Sequence, residues 1–325
     1  MAGAEKTGIT VAGTVIVDKI NEISAYPKIG ELTQIRSIQK AIGGCVPNVA
    51  LDLKKISPEL AVRAVGTIGD DEEGSFVTDI LQRGGVDTDG LTVLQGEMTS
   101  FTDVMSVAGG QRTFFTYAGA SAKFGSEHVD FAENCPKMLH LGYFLLLERV
   151  DNGEGLKILR NAKEQGIETS IDLVSENSDR YALVKPCLPY TDYLIINELE
   201  AGKLTGIEAN KQNLETVARS LMEMGVRKKV IIHMPDCAVC LSEAGCTCVA
   251  SYALPEGYIQ GTTGAGDAFC AGALMGIYHG WSDREILEFA SAVAVMALGS
   301  PDATSGLAAM DEIRTFCSRF SRQQL

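Results

Sequence analysis

The sequence predicts an α/β protein in which a mostly parallel central sheet is flanked by helices and a small second β-sheet lies over a cleft. Two patterns and a bulk property carry that expectation. Between residues 138 and 232, strand-like apolar runs alternate with helix-like periodic segments, which is how a chain builds a parallel sheet with helical crossovers. From Ser100 to Tyr117 the period changes to two, with one face too polar for a core strand. A chain of 325 residues that is 46% hydrophobic also has the material for a large core.

Taken in order, Ile9 to Gly13 and Val15 to Val17 read as strand, with Asp18 as a charge at its end. A weakly alternating stretch runs on to Ile38, and Gly43-Gly44-Cys45-Val46-Pro47-Asn48 reads as a turn where backbone approaches something, before a helix opens at Val49. Ala61 to Ile68 is a buried strand. Asp70 to Glu73 load the start of the next helix with acid, and Phe76, Val77, Ile80 and Leu81 give it an apolar stripe. Thr102, Val104 and Ser106 then alternate with their neighbours, Gly109-Gly110 turns the chain, and Thr113, Phe115 and Tyr117 alternate on the return. Together with residues 15–38 this hairpin forms the expected lid. Strands follow at Met138 to Leu147, Glu168 to Ile171, Tyr193 to Ile196 and Lys229 to Ile232, with helices at Gly155 to Lys163 and Leu214 to Met224. Ser282-Asp283-Arg284-Glu285 is a capping box for a helix that Gly299 ends.

A net charge of −14 with only 28 Lys and Arg argues against a nucleic-acid groove and against an anionic membrane surface. No apolar run is long enough to span a bilayer, and the N-terminal residues have no signal core, so a cytoplasmic protein is expected. In that setting the nine cysteines stay reduced. Cys237, Cys240, Cys246 and Cys248 lack zinc-knuckle spacing and read as apolar fillers of a β-hairpin turning at Ser242 to Gly245.

The chemistry gathers at Gly261-Thr262-Thr263-Gly264-Ala265-Gly266-Asp267-Ala268-Phe269. This turn has no side chain large enough to cover its own backbone, and a helix follows it. The bare N–H groups and the helix dipole make an anion site that fits a phosphate. Asp267 sits in that field as a carboxylate. Its dipole-matched position is one reading; the other is a base that takes a proton from a hydroxyl attacking phosphorus. Neither a Walker loop nor a Gly-x-Gly-x-x-Gly fingerprint is present. Asp18, Asp172, Asn197 and Glu200 are expected beyond the carboxyl ends of the parallel strands, on the same edge.

With these pieces assembled, the chain resembles the ribokinase-like (PfkB-type) carbohydrate kinase family over nearly its whole length. Thr263 to Phe269 is similar to the family's C-terminal signature, Gly43-Gly44-x-x-x-Asn48-x-Ala50 to its N-terminal one, and Gly69-x-Asp71-x-x-Gly74 and Asn197-x-x-Glu200 fall in matching order. The resemblance implies one three-layer ribokinase-like domain over residues 1–325, with a lid from about 15–38 and 98–118. It implies transfer of the γ-phosphoryl of ATP, with Mg2+, to a primary hydroxyl of a ribose- or fructose-like sugar.

By the same resemblance Asp267 is the base, and the N–H groups of Gly264, Ala265 and Gly266 hold the charge of the transferred phosphoryl. Asp18, Gly43, Gly44 and Asn48 grip substrate hydroxyls. Asn197, Glu200, His233 and Thr263 attend the nucleotide, with Glu200 reaching Mg2+ through water. A homodimer through the lid is implied by resemblance alone. Gly261 replaces the Asp that usually helps bind an activating monovalent cation, which leaves a K+ requirement open, and the loop from His233 to Ala238 departs from the usual turn near the nucleotide. Two alternatives stand beside this reading. One is a nucleoside or sugar-phosphate kinase, for which Arg112 is the cationic anchor; the other is a non-catalytic sugar-binding relative.

Overall fold

The computed structural model describes residues 6–107, 112–131, 135–300 and 302–324. Its elements in chain order are β1 (Ile9–Ala12), β2 (Ile16–Ile23), β3 (Ile35–Gly43), α1 (Cys45–Ile56), β4 (Val62–Gly69), α2 (Glu72–Arg83), β5 (Asp87–Leu94), β6 (Phe101–Val107) and β7 (Arg112–Tyr117). They continue as β8 (Met138–Phe144), α3 (Gly155–Glu164), β9 (Glu168–Leu173), β10 (Tyr193–Asn197), α4 (Glu198–Thr205), α5 (Leu214–Glu223), β11 (Lys229–His233), β12 (Cys237–Ser242) and β13 (Gly245–Ala250). The last third is helical, with α6 (Ala265–Tyr278), α7 (Asp283–Leu298) and α8 (Met310–Cys317).

Nine strands form the main sheet in the order β13-β12-β11-β10-β9-β8-β1-β4-β5. All its pairings are parallel except β11 with β12 and β12 with β13. Its inner strands read as continuous apolar runs because both faces are covered. Ile195 and Ile231 point to the side of α1, α2, α6, α7 and α8, while Leu194, Ile196, Val230 and Ile232 point to the side of α3, α4 and α5. These are the three layers that the resemblance implies. The strand order reverses at β1, which pairs β4 on one side and β8 on the other. An open parallel sheet presents its ligand crevice at such a reversal.

The second sheet has four strands in the order β3-β2-β6-β7 and pairs residues from 15–38 with those from 98–118, as the period-two pattern predicts. The expected Gly109-Gly110 turn lies outside the described residues. Asp18 is a correction: it sits inside β2 of this small sheet rather than at the end of a core strand. Gly13, with a φ of 138°, turns the chain out of the main sheet before β2 begins.

Three other boundaries differ from the expectation. The turn read over residues 43–48 is already helix from Cys45, because proline is tolerated in a first turn, where its missing N–H costs nothing. Asn48 is therefore inside α1 and caps nothing. The strand expected to reach Leu147 stops at Phe144, since Tyr143 and Leu145 take positive φ values of 59° and 78°. Finally, β5, over which no element is expected from the sequence, pairs along β4 as an edge strand.

Candidate active site

The site is built on the start of α6. Gly264 takes a φ of 78°, and a Cβ there would come within 2.3 Å of Ala303 Cβ, so only glycine fits. No side chain caps the helix. The Ala268 N–H donates to Gly264 O at 2.8 Å, and the Ala265 N–H makes a long 3.4 Å bond to Thr262 O. The N–H groups of Gly264, Gly266 and Asp267 have no acceptor among the described residues. The open donors expected at Gly264, Ala265 and Gly266 are thus shifted: Ala265 is partly engaged and Asp267 contributes instead.

Asp267 is 5% exposed and lies at the third position of the helix. Its Oδ2 accepts from Asn48 Nδ2 at 2.8 Å and from the Tyr143 hydroxyl at 2.9 Å. No described residue donates to Oδ1. Burial raises the carboxyl to about 6; the Asn48 bond opposes that shift, while the nearby charge of Asp172 adds to it. The Asn48 amide is therefore held by Asp267, so a substrate hydroxyl meets at most its other face.

Tyr143 had no signal in the sequence beyond an aromatic at the end of a buried strand, which reads as core. Its left-handed backbone is stabilised by its N–H donating to Asp172 Oδ1 at 2.6 Å and, two residues on, by the Leu145 N–H donating to Asp151 Oδ1 at 2.8 Å. Such positions are strained and persist only when neighbours fix them. Behind Asp267 lies a hydrogen-bonded cluster of His140, Asp172 and Cys270. His140 Nε2 lies 3.4 Å from Asp172 Oδ2 and 3.6 Å from Cys270 Sγ, and Nδ1 lies 3.1 Å from Ser170 Oγ.

A cavity of about 210 Å³ opens on this point and is lined by Tyr143, Asp172, Ser175, Asn197, Glu200, His233, Gly264, Gly266 and Asp267 among others. Asn197 and Glu200 start α4 as a reciprocal capping box. Glu200 Oε1 also accepts from Ser175 Oγ at 2.8 Å and from Asn197 Nδ2 at 2.9 Å, and Oε2 from the Asn197 N–H at 3.1 Å. Burial lifts Glu200 to about 7 against those bonds. A larger, mostly apolar cavity of about 640 Å³ adjoins the first and shares Asn197, His233 and Gly266 with it. His233 stacks on Phe269 with ring centroids 4.5 Å apart, and burial depresses it to about 4. Its ring lines both cavities. Thr263 is exposed, and its Oγ1 accepts from Arg112 Nη1 at 3.4 Å.

On the other side the N-terminal motif reaches the same carboxylate. A Cβ on Gly43 would lie 2.7 Å from Asp18 Oδ2, so strand β3 passes directly over that carboxyl, which burial raises to about 6. Gly44, with a φ of 84°, starts α1 where a Cβ would strike Thr14 O at 2.6 Å. One turn later Asn48 meets Asp267. Asp18, Gly43, Gly44, Asn48 and Asp267 therefore follow one another along one path through the structure.

Solved structures with this architecture include ribokinases and nucleoside kinases. Ribokinase of Arabidopsis thaliana is 26% identical over 295 residues, covering 89% of this chain and 76% of that protein. Fructokinase-2 of Solanum lycopersicum is 27% identical over 304 residues, covering 88% of this chain and 86% of that one. The solved structure of Arabidopsis thaliana ribokinase complexed with ribose and ATP superposes with a TM-score of 0.80 at 22% identity, over 96% of this chain and 99% of that one. The sequence also matches the family described as pfkB family carbohydrate kinase over residues 9–310, and the chain belongs to that family.

Proposed function

We propose that this kinase moves the γ-phosphoryl of ATP onto a primary hydroxyl of a ribose- or fructose-like sugar, with Asp267 as general base. One observation carries the reading: Asp267 has one oxygen fixed by two donors and the other unpaired, in a cavity that also receives the open N–H groups of α6. A base anchored at Oδ2 leaves Oδ1 to take the hydroxyl proton. As the oxygen attacks, negative charge on the transferred group meets the Gly264, Gly266 and Asp267 N–H groups and the positive end of the helix. Its raised protonation point brings Asp267 nearer the working pH, which improves proton transfer.

ATP fits the adjoining apolar cavity, with the base beside Leu254, Ile259 and Val295 and the phosphates running past Gly266. Mg2+ would be held by the carboxylates of Asp172 and Glu200, which line the first cavity. Both Glu200 oxygens already accept hydrogen bonds, which favours contact through the ion's water shell over direct ligation. When bound, the ion would neutralise phosphate charge. Gly261 offers no carboxylate for K+, so a K+ requirement is a matter for assay. The small sheet is the lid of a single domain, closing over the sugar and excluding water as a rival acceptor. Exposed Ile38, Phe114 and Phe115 on it suit a homodimer.

Arg112 bears on the sugar-phosphate alternative. Its guanidinium reaches Thr263 beside the transfer loop, at the end of the site where phosphoryl passes, rather than the far end where a phosphosugar needs an anchor. This favours a free sugar. A panel of free sugars, phosphosugars and nucleosides, assayed for ADP release with and without K+, tests the reading. A pentose or ketohexose is expected to turn over. Exclusive turnover of phosphosugars or nucleosides would refute the substrate class, and thermal stabilisation by a sugar with no phosphotransfer would refute the enzyme.

A further inference from the structure

Asp52 is fully buried on α1, four residues after Asn48, and neither of its oxygens has a partner among the described residues. Asn48 Oδ1 is also buried without a donor. An unpaired carboxylate in such a place is prohibitively costly, and an orphaned amide oxygen costs a smaller but real amount. Of the charged groups around Asp52, only Lys55 favours its ionised form, and burial outweighs that. Asp267 on α6 and Asp302 after α7 are like charges, and Lys55 on its own helix donates to Thr304 O.

Residues i and i+4 lie side by side on a helix face, with Cβ atoms about 5–6 Å apart. A protonated carboxyl is a donor, and the nearest orphan acceptor along the helix is Asn48 Oδ1. The orientation of Asn48 matters because an amide can present either end. Asp267 only accepts, so Asn48 must offer it Nδ2, which leaves Oδ1 turned back into α1. A donor behind Asn48 fixes that orientation.

We propose that Asp52, as a neutral acid, donates its proton to Asn48 Oδ1 and so holds the Asn48 amide with Nδ2 on Asp267. Asp52 is then a positioning residue that acts on the base through Asn48. The inference rests on Asp267 being the base, and its test separates the two. The groups that also face Asp267 are Tyr143 and His140 from β8, Asp172 from β9, Cys270 on α6 and Cys45 on α1. All are common to the variants compared.

The first measurement needs no substrate. If Asp52 keeps its proton in the fold and loses it on unfolding, the wild type takes up a proton on folding and loses stability relative to Asp52→Asn as pH rises. The Tm difference between the two is expected to grow by about 2 °C per pH unit from pH 5 to 8. A constant difference would mean that Asp52 is ionised in the fold and overturns the proposal.

The second measurement is kcat against pH with Mg-ATP and ribose or fructose, for wild type, Asp52→Asn, Asp52→Leu and Asp267→Asn. Asp52→Asn retains a donor and should keep the acid limb in place. Asp52→Leu removes the donor, weakens the Asn48 bond and should move the limb upward by about half a unit, with kcat down about tenfold. An unmoved limb in Asp52→Leu, or a downward shift in Asp52→Asn from loss of a negative charge, sinks the proposal. Turnover retained by Asp267→Asn would instead remove the base reading. Loss in Asp267→Asn together with an unmoved limb in Asp52→Leu leaves the base intact and Asp52 without the role.

Discussion

Two helices point their first turns into one cavity, and each has an acid three residues after its cap: Asn197-x-x-Glu200 on α4 and Gly264-x-x-Asp267 on α6. On α4 the acid folds back, and the side chains of Asn197 and Glu200 satisfy each other's N–H groups. On α6 the cap is glycine, the N–H groups stay open, and the acid is drawn sideways to Asn48 and Tyr143. The same spacing thus closes one terminus and leaves the other ready for an anion. The deciding residue is the cap. A side-chain acceptor at that position consumes the donors, whereas glycine leaves them to a ligand. On α7, Ser282 and Glu285 repeat the closed arrangement.

Changes at the open terminus should have the largest effect. Asp267→Asn is expected to lower kcat by about 10³-fold while the ATP dissociation constant changes little. Because its folded protonation point is raised by burial, Asp267 destabilises the protein above that point and not below about pH 4. Unfolding scans should therefore show Asp267→Asn at least as stable as wild type at pH 7.5, with any advantage shrinking as pH falls toward 4.

Gly264→Ala comes next. It meets both the positive φ and the contact with Ala303, so the first turn must shift, and kcat should drop by about 10²-fold, as for the loss of a transition-state donor. Glu200→Gln tests the closed terminus. It should raise the Mg2+ concentration for half-maximal rate by about tenfold, in the range of altered outer-shell metal contacts, with a smaller effect on kcat. Ser282→Ala sharpens the contrast: about 1 kcal/mol of stability should be lost, read as a small fall in Tm, with kcat unchanged. Equal losses of activity in Ser282→Ala and Glu200→Gln would erase the distinction between a structural cap and one facing ligands.

Much of this was legible in the chain. Periodicity gave the parallel sheet and the small sheet, and the glycine turn gave the uncapped start of α6, because both depend on residues close in sequence. The Asn48 to Asp267 bond was not legible. It joins residues 219 apart and depends on α1 packing against α6. Tyr143 was hidden because a hydroxyl at the end of an apolar strand looks like core until its backbone is seen to turn left-handed. Asp52 stood in the open as an acid within the buried stripe of Val49, Leu53 and Ile56, a conflict of pattern and charge that sequence alone marks without explaining. His233, expected beside the nucleotide, lines both cavities with its ring packed on Phe269, a contact between residues 36 apart that periodicity does not show.

The most direct measurement is the pH dependence of kcat for the wild-type enzyme beside the residual rate of Asp267→Asn. Wild-type turnover should fall as pH drops through about 6, where buried Asp267 takes up its proton, and the residual rate of the variant should lack that limb. A wild-type rate that stays flat down to pH 4.5, or a variant that keeps the same limb, would show that another group accepts the proton.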